Sequence, residues 1–379
     1  MIVCYRCQGI ITDENESVEH VIPNALGGKL KSKKLLCNVC NPFYGNTIDK
    51  ELANSVKEMC NFLMIDRERG EPQRIKGETK SGESYFLSVG GTPTKVKPEI
   101  KETREGNQVN LKFTAGYEEQ YRTIAKGFIR KYPQLTIEDF SNARNVEDVY
   151  MTEPLNFKLH IGGPAVFRAV TKIAVNLFIL GGGDPEHILH LLPFLDGKLS
   201  ESEAKNFVWL HYPEDPLHRY LEGEVSHVVQ IIGNPEERLL YAFVELFNNQ
   251  SFIIKLNDQY DGDRISESYA YDLLKRIEIP VNIQKQYGRT EFLNFFIVRD
   301  FVDKGPRPFQ IAQERTQRVM NIAEKRLLSL QIRRIVAKVV NNAFVLYPDN
   351  ELKRIEYMEM ESEKEAVKFA NSRIQSNLA

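Results

Sequence analysis

Val18-Glu19-His20-Val21-Ile22-Pro23-Asn24-Ala25-Leu26-Gly27-Gly28 lies between two cysteine pairs of equal spacing, Cys4-x-x-Cys7 before it and Cys37-x-x-Cys40 after it. Each pair can present two sulfurs from one tight turn, and two such knuckles supply the four thiolates of a tetrahedral structural zinc site. A redox pair or buried apolar cysteines would account for one knuckle but not for two. Size points the same way. A unit of about 60 residues buries too little surface to be secure alone, and a zinc site adds on the order of 10 kcal/mol of folding free energy. The fifth cysteine, Cys60, is left over.

Composition excludes several classes. With 42% apolar and 27% charged residues and a formal net charge of -2, the 379-residue chain reads as an ordinary globular protein of roughly two or three domains. The N-terminus has no basic region followed by a long apolar run, which predicts a cytoplasmic protein and favours metal over disulfide for the paired cysteines. The most apolar stretch, Ala165 to Leu180, is broken by Arg168, Lys172 and Asn176 and falls short of the roughly 20 residues that cross a bilayer, so no membrane span is expected.

The stretch from Val18 to Gly28, with Leu35-Leu36-Cys37-Asn38-Val39-Cys40-Asn41-Pro42-Phe43-Tyr44-Gly45, resembles the HNH endonucleases, the zinc-knuckled branch of the His-metal finger nucleases. Their pattern has an acidic residue before His, an apolar-Pro turn, Gly-Gly and Leu-Cys-x-x-Cys-Asn. It is matched here from about residue 4 to 52, with a trailing Gly45-x-x-x-Asp49. The resemblance implies a ββα-metal module in which His20 is the general base and Glu19 and Asn41 hold a catalytic Mg2+ or Mn2+. A neutral imidazole can accept a proton, and a hard cation favours oxygen ligands, so the residue types suit those roles. The family's middle Asn falls at Ser32, whose hydroxyl would steady the loop over a shorter reach; Asn24 is a possible substitute, or a plain loop residue after Pro23. Asn41 before Pro42 also has the form of a helix N-cap. Adjacent strand residues point to opposite faces, so Glu19 and His20 share one site only if the backbone bends. Asp49 reads as structural.

Lys29, Lys31, Lys33 and Lys34 crowd the loop entering the second knuckle and are candidate phosphate contacts, the alternative being a solvated loop. Beyond residue 66 the pattern divides into a mixed bridging region to 150, an α+β region from 151 to 305 and a helical region from 306 to 379. Tyr85 to Val89 and Val109 to Phe113 alternate as strands, and Tyr117 to Ile129 has helical spacing. Pro164 to Leu180 predicts a helix with one wide apolar face. Val225 to Ile232, Leu239 to Phe247 and Phe252 to Leu256 predict an antiparallel meander. Helices from about Gln310 to Asn341 and after Pro348 predict a closing hairpin. The first carries Arg315, Arg318, Lys325, Arg326, Arg333, Arg334 and Lys338 against two glutamates. That basic stripe fits either nucleic acid or an acidic face such as Glu359 to Glu365.

The fold class read from the sequence is α+β: a zinc-stapled ββα module, a larger mixed α/β region with a meander, and a C-terminal helical hairpin. The function read from it is a DNA endonuclease. Its alternatives are an RNA endonuclease and a catalytically weak zinc-knuckle nucleic-acid-binding protein. The region after Gly82 is expected to select substrate, partner or trigger, with a protein partner or self-association through the C-terminal region, as in defence or mobile-element systems, an expectation resting on analogy alone.

Overall fold

Two glycines set the turn on which the N-terminal module is built. Asn24–Leu26 forms a single 3-10 turn closed by Gly27 at φ 88°, a conformation that strains any residue with a Cβ. At Gly28 a Cβ would lie 1.9 Å from the Ile22 carbonyl oxygen, so nothing larger fits. The chain therefore doubles back, and β1 (Glu19–His20) pairs antiparallel with β2 (Lys31–Ser32), Glu19 opposite Ser32 and His20 opposite Lys31. Helix α1 (Cys40–Tyr44) follows, and the chain stays helical through a π turn, Gly45–Asp49, into Lys50–Ser55. This is the expected ββα order. The computed structural model describes residues 2–106, 108–145, 151, 153–160, 162–281, 283 and 286–378.

One local expectation is corrected. Asn41 is not the N-cap of α1: the helix starts at Cys40 with Val39 before it, and no side chain caps it. Pro42 is accommodated because the first turn has no intrahelical use for its missing N–H. Asn41 is thereby free to reach back toward β1.

The described chain divides into two compact units, each assembled from two separated segments: Met1–Pro72 with Leu159–Arg326, and Gln73–Lys158 with Leu327–Ala379. In the first unit a six-stranded antiparallel sheet runs in the order Ile277–Glu278, Ile265–Asp272, Ser226–Asn234, Leu239–Leu246, Gln250–Asn257, Val208–Leu210. Its centre is the expected meander, and Leu239–Leu246 is buried along its whole length. Helix Pro164–Leu180 lies between the sheet and the N-terminal module, in contact with both. The sequence predicted one apolar face for this helix; the structure buries it nearly all round, Lys172 and Asn176 included. One continuous core joins Cys4, Ile22, Leu36 and Tyr44 of the module to Val170, Ala174 and Phe178 of the helix and to the sheet.

The second unit holds a three-stranded sheet (Ile75–Glu78, Ser84–Leu87, Pro93–Lys95), a hairpin (Ile100–Glu105, Gln108–Phe113) and the helices Glu118–Lys131 and Ile137–Asn142. Phe113, Phe128 and Phe140 pack together there. The expected C-terminal helical pair is present as Arg307–Leu346 and Glu351–Leu378. Its basic stripe is not one surface. Arg315 is buried in the first unit, where fully buried Glu245 accepts from Arg315 Nη1 at 3.3 Å and from Ser251 Oγ at 2.6 Å. Arg334, in the second unit, donates to the Gly90 carbonyl at 3.0 Å. In the acidic stretch, Glu361 and Glu365 pair with Lys364 and Lys368 of their own helix. No helix among the described residues is long and apolar enough to cross a membrane.

His227 couples the module to the sheet and should make the first unit acid-sensitive. Its Nδ1 accepts from the Phe247 N–H at 3.2 Å, so Nε2 carries the proton and donates to the Leu26 carbonyl at 3.0 Å. Only the neutral ring satisfies both bonds. Burial pushes the imidazole down to about 4 from 6.5. A depressed pKa contributes stability that is present above the unfolded value and lost as the pH falls through the folded one. Acidification from pH 7 to 4 should therefore remove on the order of 3 kcal/mol through this group. Urea unfolding of the wild type and His227→Gln at both pH values checks it, and equal pH dependence in the two proteins would count against the assignment.

Candidate metal centre and active site

The four paired cysteines converge. Cys4, Cys7, Cys37 and Cys40 place their sulfurs within 4.8 Å of one another, with Cys7 and Cys37 3.9 Å apart. A tetrahedral ion with sulfur at 2.3 Å requires S–S edges of about 3.8 Å, so the group can hold a metal with little adjustment. Backbone hydrogen bonds shape the turn that carries the first pair. The Cys4 N–H donates to the Gly9 carbonyl and the Gln8 N–H to the Cys4 carbonyl, closing the first turn. Burial raises the Cys4 and Cys40 thiols, whereas Cys37, against its own burial, is drawn down to about 7 by the Cys40 and Val39 N–H groups facing its sulfur. Arg6 lies beside the cluster, donating to Cys40 Sγ at 3.6 Å and to Asp196 at 3.0 Å, with its guanidinium 3.9 Å above the Phe43 ring. Cys60 belongs to the core instead: it is fully buried and pushed up to about 12 by that burial.

Glu19 and His20 diverge, as neighbours on a strand do. Glu19 turns inward and is 4% exposed; its Oε1 accepts from Lys172 Nζ and, at 3.0 Å, from Asn176 Nδ2. Lys172 is 1% exposed and also reaches both oxygens of Asp49, at 2.9 and 2.8 Å. Burial opposes the ammonium, but Asp49 and Glu19 hold its pKa above the usual value. His20 lies outward and half-buried, with Nε2 3.4 Å from Glu68 Oε2, within ion-pair range but not hydrogen-bonded. Burial lowers its pKa; Glu68 opposes that shift without reversing it. The ring is therefore neutral near pH 7.

Asn41 is brought to the same strand. Its Nδ2 donates to Ser17 Oγ at 2.7 Å and to the Val18 carbonyl at 2.9 Å, fixing the start of α1 against the residues leading into Glu19. Among the described residues Asn41 Oδ1 and Glu19 Oε2 accept no hydrogen bond. Ser32 Oγ accepts from the Lys34 N–H at 3.1 Å, a local turn contact. Asn24 Oδ1 accepts from the Glu68 N–H at 2.8 Å and so holds the loop after helix Lys57–Phe62 beside His20. Of the four loop lysines, Lys29 faces Asp66 at 3.7 Å, Lys31 faces Glu68 at 3.0 Å and Lys33 pairs with Glu16. Exposed pairs of this kind are worth about 0–1 kcal/mol, so phosphates can displace them at little cost.

Sequence reasoning missed the residues that complete this centre. Arg168, Lys172 and Asn176 recur every four residues and form one polar stripe along an otherwise apolar helix. Arg168 pairs with Glu51 at 2.6 Å, and Asn176 also donates to the His20 carbonyl at 3.1 Å while accepting from Tyr5 at 2.8 Å. That stripe was the available signal. Asp49, read as structural, is a partner of the buried ammonium. Glu68 had no signal, because acids are common in an exit loop.

No curated protein and no solved structure matches the chain. Residues 4–57, within the N-terminal module, match the family model described as HNH endonuclease.

Proposed function

We propose that the chain is a metal-dependent endonuclease that hydrolyses phosphodiester bonds in DNA, with His20 as general base. The observation that carries this reading is a half-buried imidazole, its pKa lowered by burial, in a segment that matches the HNH endonuclease family model and also holds the four-sulfur cluster. His20 Nε2 takes a proton from the attacking water, a role a neutral ring fills at physiological pH. The carboxylate of Glu19 and the amide oxygen of Asn41 would hold Mg2+ or Mn2+ through Oε2 and Oδ1, a donor set suited to a hard cation. Bound there, the cation supplies charge neutralisation at the phosphate and the departing oxygen. Structural zinc at Cys4, Cys7, Cys37 and Cys40 would keep β1 and α1 in register. A four-thiolate zinc centre is anionic, and Arg6 offsets part of that charge.

Lys31, Lys33 and Lys34, with Lys29, supply backbone contacts, and the rest of the chain selects substrate, partner or trigger. A second reading, a weak or inactive nucleic-acid-binding protein, is favoured by one feature: Glu19 is already engaged by Lys172 and Asn176. RNA as substrate calls for the same chemistry at phosphorus.

Plasmid nicking with Mg2+ or Mn2+ tests the reading. His20→Ala should slow it by about 100-fold or more, the usual contribution of a general base, while zinc content stays constant. Equal nicking by the two proteins eliminates His20, no nicking by the wild type selects the binding reading, and a single-stranded RNA substrate run in parallel separates the two nucleases.

A further inference from the structure

A cavity of about 610 Å³ opens in the first unit, between one face of helix Arg307–Leu346 and two loops on the sheet. Arg318, Lys325 and Arg326 line it from the helix, and Lys275 and Tyr220 from the loops, with Glu222 as the one acidic side chain in the lining. Leu221, Leu274 and Ile322 provide apolar wall. The helical spacing explains the convergence, since positions 318, 322, 325 and 326 share a face.

The two guanidinium groups here keep buried donors without a partner. Arg318 donates from Nη1 to the Glu224 carbonyl at 2.9 Å, but its Nε and Nη2 are buried with no hydrogen bond, and so is Arg326 Nε. Burial lowers the pKa of both guanidinium groups. Buried donors left unmade cost about 1–3 kcal/mol each, and fixed donors lining a cavity recover that cost when an anion enters. Of the nearby carboxylates, Glu224 is engaged by its own neighbours, and Asp272 Oδ2 pairs with Lys275 Nζ at 3.6 Å. Glu224 accepts from Ser226 Oγ at 2.8 Å, from the Leu221 N–H at 3.0 Å and lies 3.2 Å from His218 Nε2. Asp272 Oδ1 accepts from the Leu274 and Lys275 N–H groups. Arg318 Cζ also lies 3.9 Å from the centre of the Tyr220 ring, a cation–π contact that leaves the ring's other face for a flat group.

We propose that this cavity binds a nucleoside phosphate, with the phosphate at Arg318, Arg326 and Lys325 and the base against Tyr220 and the apolar wall. Its volume lies within the about 300–1,000 Å³ of small-molecule sites. A cavity of about 610 Å³ holds one small molecule, which favours a mononucleotide over a strand.

Calorimetric titration of the full chain with AMP, GMP, adenosine, inorganic phosphate and an oligonucleotide lacking terminal phosphates tests it. At least one nucleotide should bind about tenfold or more tighter than both adenosine and phosphate, since the two subsites act together. Arg326→Met should weaken that nucleotide by about tenfold, the worth of one charge-assisted hydrogen bond, with an unchanged melting temperature. Should Arg326→Met melt early, Lys325→Gln, at an exposed position, replaces it and should weaken binding in the same direction. The proposal is overturned if no nucleotide binds at millimolar concentration, if phosphate alone binds as tightly, if the oligonucleotide binds in preference, or if the substitutions leave affinity unchanged.

Discussion

Lys172→Met should destabilise the first unit by about 3–5 kcal/mol, the cost of removing one partner from a buried ion pair. The ammonium is 1% exposed, and its loss would leave the Glu19 and Asp49 carboxylates facing each other with Asn176 as the remaining donor to Glu19. For a unit of this size the melting temperature should fall by roughly 10 °C. The double variant Lys172→Met with Glu19→Gln should recover part of the loss, because a neutral buried pair avoids the uncompensated charge. The pKa of Lys172 is raised in the fold, so its contribution is complete below the unfolded value of 10.5 and disappears as the pH climbs through the folded value. Melting curves of the three proteins at pH 7 decide the matter, and a shift under about 2 °C for the single variant would mean that water already solvates the pair.

The second large effect concerns the sulfur cluster. Under the proposed zinc ligation, Cys37→Ser or a strong chelator should loosen the module first, because structural zinc in small domains contributes on the order of 10 kcal/mol. Cys4, Cys37 and Cys40 are members of the same core as Ile22, Leu36 and Tyr44, so opening the knuckles exposes that core as well. Elemental analysis should find one zinc per chain in the wild type and less in Cys37→Ser, with protease cleavage appearing between residues 1 and 60. A zinc-free chain that melts like the untreated one would remove zinc from the proposal.

The readable parts of this molecule are those whose causes are local. Two knuckles, a Pro turn and a Gly27-Gly28 pair constrain the backbone over a few residues, so their sequence carries their geometry. The meander was legible for the same reason, its three strands being apolar runs separated by turn residues. Strand Ile265–Asp272 was overlooked because its exposed half, Ile-Ser-Glu-Ser, has little apolar content and is ordered by pairing with Ser226–Asn234. The centre was legible only in part. His20 and the cysteines stood out, but the partner of Glu19 lies 153 residues away, and pairing over such a distance leaves no trace in spacing. Counting charges along a helix does not say which of them share a surface. Two residues of the basic stripe on Arg307–Leu346 have separate structural duties, Arg315 buried on Glu245 and Arg334 on the Gly90 carbonyl.

Lys172 and Asn176 have an implication for how such a protein can be taken apart. The N-terminal segment stores two acids whose neutralising charge is encoded more than a hundred residues downstream. Transplanted alone into another scaffold, it would arrive with those acids unbalanced and its inner surface wet. Anyone shuffling these segments would have to move helix Pro164–Leu180 as well, so the heritable unit here is a discontinuous pair of gene regions, not a cassette.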